Sequence, residues 1–235
     1  MRFVLLLLVF IFGQVLAAPS SLKIAVNVGP PWAFYDGEQG VVGIDVDILT
    51  HAFSELGYKT EFHLLPYNRL IKDFQDGKFD VASPAAFTAA HGYFSTYYLP
   101  FEDVAVSLKS RNLDISSIQD LRGKRVIAYQ SARNVLGEEF AEAVDGNSYL
   151  EEAEREVQLT LLKNGKTDVV VGEKRLLTYI MSKRYPDVAL TVHPIFDIKP
   201  YGAIIKQEFL RDRFNQQIKK MQASGKFQEI MDKWQ

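Results

Sequence analysis

Phe74-Gln75-Asp76-Gly77-Lys78-Phe79-Asp80-Val81 and Leu162-Lys163-Asn164-Gly165-Lys166-Thr167-Asp168-Val169, 88 residues apart, follow one plan. In each, an amphipathic helix stops at a Gly, a Lys follows, and an Asp leads into an apolar strand. Helix–Gly–strand punctuation is common enough to produce such an echo by itself. The other reading is two lobes of similar topology, each about 90–120 residues, a normal size for a small domain.

Outward from these stretches, strand and helix signals alternate. Strands are predicted over 22–26, 60–64, 79–82, 104–108, 125–129, 168–172 and 189–192. Helices are predicted over 46–56, 69–76, 134–143, 150–162, 174–184 and 208–222. Asp45 and Asn68 stand at N-cap positions, and Ser117 with Asp120 forms an S-x-x-D capping box. A β-α-β-α order of this kind predicts an α/β fold with mostly parallel sheets flanked by helices.

Composition narrows the function. Among 235 residues, 27 Lys and Arg nearly balance 29 Asp and Glu, and 47% are hydrophobic. Such a chain folds, and a net charge of −2 gives no electrostatic footprint for nucleic acid. The absence of Cys excludes disulfides, thiolate zinc sites, Fe–S clusters and a cysteine nucleophile. At the start, Met1-Arg2 precedes an unbroken apolar run from Phe3 to Phe12, and Val15-Leu16-Ala17 offers small residues for cleavage. Ten helical residues span about 15 Å, half a bilayer core, so residues 1–17 are expected to be a cleaved signal peptide rather than an anchor. With no Cys to lipidate, the mature chain is expected to be periplasmic and free in solution.

In open α/β sheets, ligands bind beyond the carboxyl ends of the strands. Trp32 and Phe34 follow the first strand at a Pro-Pro break, and Ser83 follows the strand at 79–82. Gln130, Ser131 and Asn134 open a helix, while Glu173 comes directly off a Val-Val-Val-Gly strand end. Tyr67 and Arg69 flank another helix start. Such a set suits a small polar organic molecule better than a metal or a nucleotide. Each residue also has an ordinary reading: core packing for the aromatics, helix capping for Ser131 and Asn134, a solvated helix start for Glu173, and a surface charge for Arg69. Nucleophile elbow, G-x-G-x-x-G and Walker patterns are missing. His51, His63, His91 and His193 are scattered, so no metal and no cofactor are expected.

The order of several motifs resembles family 3 extracellular solute-binding proteins of ABC importers. It runs Pro30-Pro31-Trp32-Ala33-Phe34, Gly43-Ile44-Asp45-Val46-Asp47, Gly77 to Val81, Phe94-Ser95-Thr96-Tyr97-Tyr98, Leu121-Arg122-Gly123-Lys124-Arg125-Val126, and Lys163 to Val171. Pro200-Tyr201-Gly202-Ala203-Ile204 is similar to the family's returning hinge strand, and Gly225-Lys226-Phe227 to Trp234 to its terminal helix. The resemblance implies a type II periplasmic-binding-protein fold of two lobes joined by two hinge crossovers. Lobe one would be 22–108 plus 198–235 and lobe two 109–197, with a small polar solute clamped between them. The implied partner is an inner-membrane ABC permease, and the implied state is a monomer with no enzymatic activity.

One departure stands out. Amino-acid binders of the family carry T-x-x-R after the G-K-F-D-V strand, its Arg clamping the ligand carboxylate, whereas this chain reads Thr88-Ala89-Ala90-His91. Imidazole lacks the permanently charged, two-pronged guanidinium fork. Glu173 matches the family's acidic residue for the ligand amine. The resemblance therefore implies an amine-binding end without its usual carboxylate clamp: either the ligand is cationic or neutral, or Arg69 replaces the missing Arg. Two alternatives share the signature, a cyclohexadienyl-dehydratase-like enzyme using Glu173 as general acid and a periplasmic ligand-sensing module.

Overall fold

The computed structural model describes residues 21–86, 92–146 and 148–234. Thr88, His91 and the leader at 1–17 lie outside the described residues.

The described residues begin with β1 (Ser21–Asn27), the hairpin β2 (Phe34–Asp36) and β3 (Gly40–Val42), α1 (Ile44–Ser54), β4 (Lys59–Leu65), α2 (Tyr67–Gln75), β5 (Val81–Ala85), β6 (Tyr93–Phe94) and β7 (Leu99–Phe101). It then crosses into β8 (Asp103–Leu108), β9 (Val126–Ala128), α3 (Ala132–Leu136), α4 (Glu138–Val144), β10 (Tyr149–Glu151), α5 (Arg155–Lys163), β11 (Val169–Glu173), α6 (Lys174–Arg184) and β12 (Leu190–His193). It returns through β13 (Lys199–Ile205), α7 (Glu208–Ser224) and α8 (Lys226–Lys233).

The first sheet has the order β4-β1-β5-β13-β6, with β7 also on β13; the second runs β10-β9-β11-β8-β12. Both are mixed rather than mostly parallel. A parallel trio, β4-β1-β5 in one and β10-β9-β11 in the other, is completed by antiparallel strands. Each sheet is buried on both faces. In β1, Ile24 and Val26 pack towards Phe53 of α1 and Phe214 of α7, while Ala25 between them packs towards Leu70 and Phe74 of α2. In β11, Val169 and Val171 join Phe140, and Val170 joins Leu159 and Leu177. That two-sided burial explains the uninterrupted Val run.

The echoed stretches perform one task twice. Gly77 and Gly165 both end their helices at positive φ, 77° and 66°. Asp80 accepts the backbone amide of Lys23 at 2.9 Å, and Asp168 that of Arg125 at 3.0 Å. Each Asp also donates its own amide to the same residue's carbonyl, at 2.9 Å in both cases. Each carboxylate thus pins the start of the neighbouring parallel strand.

Several expectations shift. The strand at Asp103–Leu108 pairs with β11 and β12, so it belongs to the second sheet and not to the first lobe. Only Glu102 separates β7 of one sheet from β8 of the other. Residues 149–151 form a strand, not a helix start, because Tyr149 to Glu151 pair with β9 and the Tyr149 ring packs on Phe140 at 5.9 Å. The helix expected over 134–143 is broken at Gly137, whose φ is 94°. Gly43 and Pro66 take the cap positions expected of Asp45 and Asn68, while the Ser117–Asp120 capping box forms as expected.

Candidate functional site

The carboxyl ends of the two parallel trios lead into the segments that meet between the sheets. Trp32 rides on the turn after β1. The first amides of α1, from Ile44 and Asp45, have no partner within the helix and donate to the carbonyls of Pro31 and Trp32, both at 2.9 Å. Gly43 permits this approach, since a β-carbon there would lie 2.3 Å from the Trp32 oxygen and its φ is 139°. So held, the indole packs on Phe101 at 4.5 Å and donates from Nε1 to Glu173 Oε2 at 2.8 Å.

Glu173 ends β11 and caps α6, its Oε2 also accepting the Leu176 amide at 2.8 Å. Its Oε1 is buried and has no partner among the described residues. Burial pushes the carboxyl's pKa up, against the opposing pull of the Trp32 indole and the Leu176 and Arg175 amides. An unpaired buried acceptor costs about 1–3 kcal/mol, so Oε1 is primed for a donor. Asp103, the register partner of Glu173 in β8, accepts the Tyr129 hydroxyl at 3.1 Å and is likewise pushed up by burial. Beside this group a cleft of ≈ 580 Å³ opens between the lobes, with Pro31, Pro100 and Trp234 on one side and Glu173, Thr178 and Tyr179 on the other. That volume suits a small organic solute.

The sequence-predicted residues divide. Trp32 and Glu173 meet directly. Phe34 lies between Tyr179 and Trp234, ring centroids 6.0 and 5.6 Å away, and so joins the two lobes. Tyr67 opens α2 and accepts the Ala86 amide at 3.0 Å, with burial raising its pKa. Ser83, by contrast, is fully buried, its hydroxyl bonded to that of Tyr98 at 2.8 Å, so it faces the core. Arg69 has 69% of its side chain exposed and pairs with Asp73 at 3.2 Å, one turn along its own helix. Gln130, Ser131 and Asn134 are exposed. Ser131 stands at the N-cap with φ 64°, but makes no side-chain cap; the amides of Ser131 and Arg133 bind the Glu151 carboxylate instead, at 2.7 and 3.2 Å.

Three residues at this edge of the second sheet escaped the sequence reading: Asp103, Tyr129 and Arg155. Tyr129 was visible as an aromatic at a strand's carboxyl end. Asp103 was hidden by the misplaced lobe boundary, and Arg155 by a helix expected to begin too early.

Two α/β lobes, bridged by two crossovers and meeting at a crevice of aromatic rings and carboxylates, define a two-lobed binding protein of type II. The chain belongs to the bacterial extracellular solute-binding proteins, family 3, whose sequence profile matches residues 22–235. It is 25% identical to the arginine-binding periplasmic protein of Mannheimia haemolytica over 97% of both chains. It is 27% identical to the ABC transporter glutamine-binding protein GlnH of Bacillus subtilis, covering 83% of this chain and 72% of that one. An ancestral arginine-binding protein bound to arginine superposes with a TM-score of 0.73 at 25% identity, over 93% of this chain and 99% of that one. The GluR0 ligand binding core in complex with L-glutamate, at 19% identity, shares the fold with a TM-score of 0.78, over 93% and 99%. By its family, this chain is a solute-binding protein.

Proposed function

We propose that the protein captures a small α-amino acid or related solute bearing an ammonium group and delivers it to an inner-membrane ABC permease. The observation that carries this reading is the buried, unpartnered Oε1 of Glu173 beside the inter-lobe cleft. An ammonium there would supply the missing donor and keep the carboxyl ionised. Trp32, bonded to Glu173 from the other lobe, would close over it. Ligand energy spent on both lobes shifts the open–closed population.

The leader at 1–17 would direct export to the periplasm, with a free and monomeric mature chain. No helix among the described residues is long and apolar enough to cross a membrane. Sheet membership supports lobe one as 21–101 plus 199–234 and lobe two as 103–193. Isothermal titration with the twenty common amino acids tests the proposal. At least one should bind in the micromolar range or better, and Glu173→Gln should abolish it. Binding that survives this substitution would overturn the assignment of the ammonium to Glu173.

A further inference from the structure

The carboxyl-end edge of the second sheet's parallel trio also carries a cation. Arg155 is the first residue of α5, just beyond the carboxyl end of β10. Its Nη1 donates to the backbone carbonyls of Ala153 at 2.9 Å and Glu152 at 3.4 Å, which fixes the guanidinium in place. The guanidinium carbon lies 5.4 Å from the centroid of the Tyr129 ring, and Tyr129 in turn reaches Asp103, the neighbour of Glu173. Burial lowers the pKa of Arg155, opposed by the fields of Tyr129, Asp103, Glu154 and Glu152. Yet no carboxylate among the described residues is within ion-pair range of it, and its Nε and Nη2 donate to nothing there. By contrast Arg125 spends its fork on Asp168.

A stacked, anchored guanidinium with a free edge is built to receive a planar anion. β10 and β11 both border β9, so Arg155 and Glu173 stand at or just beyond the carboxyl ends of strands in the same parallel trio. Arg69 is committed to Asp73 on an exposed helix face. We propose that Arg155 clamps the ligand's carboxylate, replacing from the second lobe the guanidinium that His91 does not supply. This rests on the amino-acid reading above and names the group at the other end of the solute.

The test compares three sets of probes on the intact protein and on Arg155→Met and Arg155→Lys: the common L-amino acids, the matching decarboxylated amines, and the dicarboxylates succinate and glutarate. With an amino acid that binds the parent, Arg155→Met should weaken binding at least 100-fold and Arg155→Lys by less. The corresponding amine should bind parent and variants alike, a selectivity that general damage to the fold would not produce. Equal losses for acid and amine, or no loss for either, overturn the role of Arg155 and leave the Glu173 assignment standing. If no amino acid binds the parent, the amino-acid reading falls. Dicarboxylate binding lost in Arg155→Met would then still support Arg155, and no dicarboxylate binding would overturn it.

Discussion

The indole nitrogen of Trp32 and the carboxylate of Glu173, 141 residues apart in sequence, meet at 2.8 Å and tie the two lobes together. The bond shares its oxygen with the Leu176 amide, so one atom caps a helix and latches a crevice. Trp32→Phe keeps a ring against Phe101 but removes the donor. A hydrogen bond to a charged group is worth about 1.5–3 kcal/mol, so solute binding should weaken about 10- to 100-fold. Small-angle scattering should also show a wider average opening without ligand.

Gly43 sets the position of that indole. Gly43→Ala places a β-carbon against the Trp32 carbonyl and forces a residue with a side chain into φ 139°. The turn must shift, at a stability cost of about 1–3 kcal/mol. Solute affinity should fall with it, while the second lobe remains intact by hydrogen exchange.

Asp45 makes stability depend on pH. It is 2% exposed and accepts the Tyr98 hydroxyl at 2.8 Å, and burial pushes its pKa from 3.8 to about 6. A carboxyl raised on folding favours the folded state most when protonated; that contribution is complete below pH 3.8 and is lost as pH rises through 6. Asp45→Asn has no such loss. Urea unfolding should therefore show the variant gaining on the parent between pH 4 and 6, with a constant difference above pH 7. A difference that stays flat across that range would contradict the burial argument.

Asp168 works in the opposite direction. Its bonds to Arg125 hold its pKa down at about 2, so its contribution is present above pH 3.8 and disappears as the pH falls towards 2. Asp168→Asn should lower stability at pH 7 by about 1–3 kcal/mol, as for other broken networks, and the deficit should vanish in acid. Asp80→Asn, removing the equivalent peg from the first lobe, should destabilise that lobe without altering the Arg125 contacts.

Local signals made much of this fold legible. The Gly77 and Gly165 stops, the Ser117 box and the Val run of β11 depend on a few neighbouring residues, and all are found as read. The failures came where distant partners decide the outcome. Residues 149–151 have helical neighbours in sequence but a strand partner in space. Ser83, expected just past a strand end, lies inside β5 with its hydroxyl bonded to that of Tyr98. That Glu173 and Trp32 come near the carboxyl ends of strands was legible, since one ends β11 and the other lies on the turn after β1. Asp103 and Arg155 could not be read, because their positions depend on which sheet a strand joins and on where a helix begins.

The junction at Glu102 has a mechanical consequence. One sheet ends at Phe101 and the other begins at Asp103, while the intervening residue is tied twice to Lys174, through its carbonyl and its carboxylate, each at 2.9 Å. Any bending at this crossover therefore falls on the dihedrals of one residue that is itself held to the second lobe. Loosening the clamp, as in Lys174→Ala, would change the path of closure before it changed its end point.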